Sequence, residues 1–262
     1  MEKCYIHTLG MMVTNDCNLD CKSCMRGKKN KNCMSDEVIE ATLDQIRCVG
    51  ILNIEGGEPT FAIPQIEKIV KGIGKRCILI DAVAITINGT IYSEKLLELL
   101  DTLNSYNIKT YLSISVDKYH LEEMQKLGLL DNFLESVAKY KMSKHFFEFR
   151  LINNKLFREG NAINLDENIT VPLRAVNNYI TYVGRKKRKL CNIGPLLTIN
   201  TNGTITEPNA SLENQETIYN YGNILDGSIV ESLINSGAKV LKPREFKRAT
   251  AKELKRYMYY EK

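Results

Sequence analysis

The chain has 262 residues, 44% of them hydrophobic and 26% charged, with a formal net charge of +5. That balance excludes a disordered, collagen-like or rod-like polypeptide, and the length admits one large α/β domain or a medium domain with a small appendage. The longest apolar stretch, Cys77 to Ile87, is interrupted by Asp81 and is too short for a bilayer, and the first ten residues have no continuous apolar run. Neither a membrane span nor a signal peptide is therefore expected, and the expected compartment is the cytoplasm.

From residue 8 to about 153, short β-branched runs alternate with amphipathic stretches, which is the pattern of βα units on a parallel sheet. Five strands are expected, over Leu9 to Thr14, Ile51 to Glu55, Val83 to Asn88, Thr110 to Val116 and Phe146 to Ile152. The helices between them span Ser35 to Val49, Ile63 to Ile73, Ser93 to Tyr106 and Leu121 to Tyr140, with Ser35 and Ser93 as N-caps. A sixth strand after residue 165 completes the expectation of an α/β fold: a partial (β/α)6 TIM-like barrel open on one side, with its active site at the C-terminal ends of the strands. A boundary near residue 185 separates this barrel, residues 1–185, from a small α+β extension, residues 186–262. The extension holds a hairpin over Leu197 to Ile205 around Asn202-Gly203, a type I′ signal, a helix near Ile229 to Asn235, and a basic C-terminal helix. From Lys239 to Lys262 there are nine Lys or Arg against three Glu.

Seven of the eight cysteines precede residue 78. In a chain with no export signal they are expected to be reduced thiols or metal ligands. Cys17, Cys21 and Cys24 fall within eight residues directly after the first strand, in a polar loop with Asn18, Asp20, Lys22 and Ser23. Three close thiols can hold an iron-sulfur cluster that keeps one iron open to a non-protein ligand. A zinc site is the alternative, and it needs a fourth ligand such as Cys33 or a histidine. After the second strand stands Gly56-Gly57-Glu58-Pro59-Thr60. Paired glycines let the backbone approach a ligand closely, and Glu58 offers a carboxylate to an ammonium group. Loops after neighbouring parallel strands open at the same mouth, so the two motifs are expected to face one cavity.

Together, CNLDCKSC at 17–24 and GGEPT at 56–60 resemble the radical S-adenosylmethionine (radical SAM) superfamily. The resemblance continues through Ile87-Asn88-Gly89-Thr90, Ser115-Val116-Asp117 and Gly160-Asn161-Ala162. It implies one [4Fe-4S] cluster on Cys17, Cys21 and Cys24, with S-adenosylmethionine chelated at its open iron. It further implies that Gly56, Gly57, Glu58 and Pro59 hold the methionyl amine, with Asn88 beside them, that Ser115 meets the ribose and that Arg150 meets the methionyl carboxylate. The implied activity is reductive cleavage of S-adenosylmethionine to a 5′-deoxyadenosyl radical that abstracts hydrogen from a substrate, an oxidoreductase- or isomerase-type chemistry. The substrate is a peptide, as in the maturation of ribosomally made peptides, or a small polar metabolite. One departure is Ser23, at a position often aromatic in the family.

From Cys191-Asn-Ile-Gly194 through Gly203, Pro208 and Gly222-Asn223-Ile224, the extension resembles the start of the cysteine-rich SPASM/twitch region that carries auxiliary clusters. Here Asn209 stands where a cysteine follows the proline, and Cys191 is the only thiol after residue 77, so no second cluster is expected. The resemblance also implies an external electron donor of flavodoxin or ferredoxin type. Basic groups at Arg26, Lys28, Lys29 and Lys31, at Arg185 to Lys189 and in the C-terminal helix read as solvated faces or as a site for an anionic partner; neither nucleic acid nor membrane is expected. Tyr257, Tyr259 and Tyr260 pack the tail or stack on bases. His120 and Cys33 are candidates for proton or hydrogen transfer. Two further readings are a non-catalytic zinc or iron-sulfur module that binds an anionic partner, and an activating enzyme that places a glycyl radical on another protein.

Overall fold

The computed structural model describes residues 3–151, 156–185 and 188–260, and no side chain is described for residues 185–189 or 257–260. The side chains of the basic run at 185–189 and of the three tail tyrosines thus lie outside what is described. Among the described residues ten strands form one sheet. Its centre is built from β1 (Cys4–Thr14), α1 (Asp36–Asp44), β2 (Ile46–Gly56), α2 (Ile63–Arg76), β3 (Leu79–Ile87), α3 (Glu94–Ser105), β4 (Lys109–Ser115), α4 (Lys118–Lys126), α5 (Leu130–Met142) and β5 (Phe147–Arg150). Strands β1 to β5 are all parallel, as the βα alternation requires. This is a mixed α/β, partial TIM-like barrel.

Alternation along the strands sets its two faces. Leu9, Met11, Leu52, Ile54, Val83, Ile85, Leu112 and Ile114 are buried in one core with Val38, Ile39, Ile66, Ile69, Leu96 and Leu100 of the helices. The opposite face carries Asn53, Glu55, Thr86, Ser113, Ser115, Glu148 and Arg150. A greasy outer face and a polar inner one are what a barrel with a working cavity needs.

Ser35 and Ser93 cap α1 and α3, their hydroxyls accepting from the Val38 and Leu96 amides. Two helices end earlier than their periodicity suggests. The first stops at Asp44, because Ile46, Val49 and Leu52 are drawn into the sheet, and Gln45 marks the junction: its side chain donates to the Gly227 carbonyl (3.2 Å) and accepts from the Ile229 amide (2.8 Å). The Leu121 to Tyr140 stretch divides into α4 and α5 at Gly128, whose φ of 68° only glycine adopts easily.

Beyond β5 the chain leaves the sheet. Strands β6 (Leu156–Phe157) and β7 (Thr170–Val171) pair only with each other, so β5 remains the edge. The cause lies at Gly160-Asn161, which is pulled beneath the cysteine loop: the Asn161 amide donates to the Cys24 carbonyl at 2.8 Å. The opposite edge is filled by the C-terminal part. Strand β8 (Tyr179–Arg185) forms a hairpin with β9 (Arg188–Ile199), and β9 then runs parallel to β1, pairing Cys4 with Cys191 and Met11 with Ile199.

Strand β10 (Thr204–Thr206) returns antiparallel to β9. The connecting turn is not type I′, which needs positive φ at both central residues; only Gly203 has it, at 88°. Asn200 closes a three-residue loop instead, donating its amide to the Thr204 carbonyl at 2.9 Å, while Asn202 Oδ1 accepts from the Thr204 amide. The remaining elements are α6 (Leu212–Glu216), β11 (Asn220–Asn223), α7 (Ile229–Asn235), β12 (Lys239–Val240) and α8 (Pro243–Tyr260). Among the described residues no helix is long and apolar enough to cross a membrane.

Candidate functional site

The loop after β1 is tied down on three sides. Asn15 reaches across its own loop: its amide donates to the Asn32 carbonyl (2.8 Å) and its side chain to Thr201 Oγ1 (3.0 Å). Leu19 anchors the turn in the core at 2% exposure, and its amide donates to Cys17 Sγ at 3.5 Å. Asn161 clasps the far side, its side chain donating to the Cys21 carbonyl (3.1 Å) and to Asp20 (3.0 Å). Gly160 makes that clasp possible, since a Cβ there would stand 2.7 Å from the Cys24 carbonyl oxygen.

The glycine loop packs directly on this turn. The Gly57 amide donates to the Thr14 carbonyl (2.8 Å) and the Glu58 amide to the Asp16 carbonyl (2.7 Å). A Cβ on Gly57 would lie 2.2 Å from the Asp16 carbonyl oxygen and 2.9 Å from Cys17 Cβ. Only glycine allows this approach, so the Gly-Gly pair fixes where Cys17 sits.

Glu58 is buried, and both of its oxygens are used within the chain. One accepts from the Thr60 amide and hydroxyl (3.0 and 2.7 Å), capping the 3-10 turn Pro59–Ala62, and the other accepts from the Asn88 amide at 2.6 Å. Burial pushes its carboxyl upward, opposed by these donors. Asn88 continues the chain of contacts: its side chain donates to Asn18 at 2.8 Å and lies 3.9 Å from Cys17 Sγ. The loops after β1, β2 and β3 are thereby joined into one mouth.

All three cysteines are free thiols. Burial pushes Cys17 up to about 11, with the Leu19 amide and Lys29 opposing, and Cys21 up to about 12, with Cys17 and Cys24 adding to the effect. Clustered, part-buried thiols are a donor set that metal binding deprotonates. Among the described residues no three Cys, His, Asp or Glu side chains converge on a single ion. Cuboid iron-sulfur clusters ask for something different, since each thiolate meets its own iron. Three thiols on one rigid turn, with glycine backbone against them, fit such a cluster. Cys33 lies outside this group, exposed and 3.4 Å from Thr14 Oγ1.

The other sequence-derived candidates spread around the same end of the sheet. Ser115 and Arg150 are partners in register at the ends of β4 and β5. The exposed Arg150 guanidinium reaches Thr86 Oγ1 at 3.5 Å and attracts Glu55. His120 Nδ1 pairs with Asp117 Oδ2 at 2.5 Å. Burial works to raise Asp117, but His120 and two backbone amides outweigh it and hold the carboxyl low. The basic group after the cysteines divides. Lys28 and Lys29 line a 580 Å³ cleft with Cys17, Asn18, Glu123 and Asn161, whereas Arg26 turns inward to Glu55 at 2.8 Å and to the Ala210 carbonyl at 3.2 Å.

Sequence reasoning passed over Arg26 as an inward residue, along with Glu55, Ser113, Glu148, Thr198 and Glu207. The alternation Asn53, Glu55 beside the buried Leu52, Ile54 was a signal for an inward carboxylate. Ser113, which donates to Glu148 at 2.9 Å, carries none on its own.

A family model described as the Radical SAM superfamily matches residues 11–162. No curated protein matches the chain. Among solved structures it is similar to anSMEcpe with bound AdoMet and Cp18Cys peptide, at 12% identity over 89% of this chain and 81% of that one, with a TM-score of 0.47. It is also similar to Streptococcus suis SuiB bound to precursor peptide SuiA, at 13% identity over 87% of this chain and 64% of that one, with a TM-score of 0.43.

Proposed function

The chain belongs to the radical SAM superfamily, and from that membership we propose an enzyme that holds one [4Fe-4S] cluster on Cys17, Cys21 and Cys24 and takes hydrogen from a peptide or small polar metabolite. When bound, the cluster and S-adenosylmethionine supply a 5′-deoxyadenosyl radical by reductive cleavage. The observation that carries the reading is the seating of Gly57 against Cys17, which brings the cysteine turn and the glycine loop to one mouth.

Each residue then has a definite task. The three cysteines bind iron as thiolates, giving up their protons as they do so. The backbone of Gly56 and Gly57 would meet the methionyl amine, and Glu58 fixes that backbone by holding the Thr60 and Asn88 amides. Its carboxylate also attracts the ammonium. Ser115 donates to or accepts from the ribose, and Arg150 pairs with the methionyl carboxylate. The Asp117–His120 pair stands at the same mouth as a proton carrier. The polar inner face receives the substrate, away from bulk water.

The test is anaerobic reconstitution with iron and sulfide, followed by dithionite and S-adenosylmethionine and detection of 5′-deoxyadenosine by mass spectrometry. The nucleoside is expected from the wild-type chain and not from Cys21→Ala. Glu58→Ala is expected to retain iron while losing about tenfold in cleavage rate, one hydrogen-bonded contact's worth. A fully active Cys21→Ala protein overturns the assignment.

A further inference from the structure

On the inner face, Gly10 of β1 sits between Asn53 of β2 and Thr198 of β9, and Thr198 is opposite Thr206 of β10. A Cβ at Gly10 would stand 2.3 Å from Thr198 Oγ1 and 3.1 Å from Glu55 Oε1. Position 10 therefore brings the Thr198 hydroxyl and the Glu55 carboxylate over a stretch of bare backbone. Glu207 follows Thr206 directly and is fully buried. One of its oxygens accepts from the Val176 amide at 2.8 Å, and the other has no hydrogen-bond partner. Thr198 Oγ1 and Thr206 Oγ1, both on fully buried residues, have none either.

Three unpartnered oxygens in one buried quarter are costly unless something donates to them. Glu207 forms no ion pair among the described side chains, and the neighbouring arginines are taken: Arg256 lies 3.7 Å from Glu253, and Arg150 pulls on Glu55. Arg26 is committed to Glu55 and to the Ala210 carbonyl. Glu253 faces the Asn177 amide and side chain at 3.3 Å. Glu207 thus has the pull of Arg26 against the repulsion of Glu55 and Glu253, with Tyr219 and Tyr221 of the β11 side as its neutral neighbours. Water could meet the hydroxyls but would supply no counter-charge to Glu207 once its carboxyl ionises.

The geometry points to a subsite in which Glu207, Thr198, Thr206 and Glu55 receive a protonated primary amine carried by the substrate. An ammonium has three donors and one positive charge, matching one unpartnered carboxylate oxygen and two unpartnered hydroxyls. Arg26, two residues after Cys24, ties this subsite to the cysteine turn, so an amine seated there anchors the substrate beside the cluster loop. The assignment of the amine to the substrate rests on the function proposed above, whereas the subsite itself does not. Burial holds the Glu207 carboxyl up at about 8, so seating a cation at neutral pH expels its proton.

The probe is n-butylammonium, titrated into the reconstituted protein under argon and followed by saturation-transfer NMR, with n-butanol as the neutral isostere. Saturable binding is expected, weakened about tenfold or more in both Glu207→Gln and Thr206→Val, with butanol at least as much weaker. Thr206→Val carries a second readout, because removing an unpartnered buried hydroxyl should leave thermal stability equal or higher while binding falls. Absence of saturable binding, equal binding of butanol, or binding indifferent to both substitutions overturns the subsite. Release of 5′-deoxyadenosine is measured separately, so a failure of the radical chemistry and a failure of the amine subsite give different results.

Discussion

At Glu207 the folded and unfolded chains keep a proton over different ranges of pH. Burial raises the folded value to about 8 from an ordinary 4.5, so between those values the folded chain holds a proton that the unfolded chain has lost. Stability from this group is therefore complete below about pH 4.5 and is lost as pH rises through 8. Glu207→Gln keeps the neutral shape, and the expected result is a melting curve whose midpoint depends less on pH between 5 and 8. The difference between the two proteins should grow toward pH 8, where the variant is the more stable. Parallel thermal melts of both across that range check it, and curves that stay parallel would show that Glu207 is not a buried acid. Such a residue was out of reach of the sequence for a definite reason. The cysteines and Gly56-Gly57-Glu58 are legible because their chemistry lies within a few neighbouring positions. Thr198 meets Gly10 only through the parallel register of β9 on β1, and Glu207 follows Thr206, the partner of Thr198 on β10; no local pattern announces either.

Among the elements, those with local signals were readable and those decided by distant contacts were not. Ser35 and Ser93 mark helix starts by their own hydroxyls. The βα alternation likewise follows from hydrophobic period. The fate of the chain after β5, by contrast, is decided by Asn161 bonding to the cysteine loop about 140 residues earlier. The α5 helix depends on a similar distant tie. Tyr140 is fully buried; its hydroxyl accepts from the Ser93 amide at 3.1 Å and donates to the Ile91 carbonyl at 3.3 Å, joining α5 to the start of α3. Burial pushes this phenol up to about 12, so it stays neutral at every ordinary pH. Tyr140→Phe keeps the packing on Tyr92 and Phe147 but orphans two part-buried backbone groups. The expected cost is about 1–3 kcal/mol, read as a fall in urea midpoint with the slope unchanged. Tyr140→Leu should cost more, because it adds a cavity to the same loss.

At the scale of the molecule, the question is whether the change in strand order near residue 185 divides the chain into two folding units. Strand β9 lies along β1 for most of its length, pairing from Cys4–Cys191 to Met11–Ile199, and so the C-terminal part supplies a strand of the same sheet. Its core residues Cys191, Ile193, Leu197, Ile199 and Ile205 are buried in one cluster with those of the barrel. Further ties cross the boundary: Asn15 to Thr201, Arg26 to Ala210, Gln45 to Ile229 and Asn177 to Glu253. Removing β9 would expose the edge of β1 and open the inner face where Thr198 meets Gly10. A single cooperative transition is therefore expected. Far-ultraviolet dichroism, which reads chiefly α1 to α5 with a smaller share from α6 to α8, and a thiol-reactivity probe of the buried Cys191 should give melting midpoints that coincide. If Cys191 reacts at temperatures where the helices are intact, the extension unfolds on its own and the shared sheet contributes less than its length implies. Coincidence instead means that substitutions around Thr206 act on the stability of the cysteine turn through β9 and β1, the same two strands that seat the cluster loop.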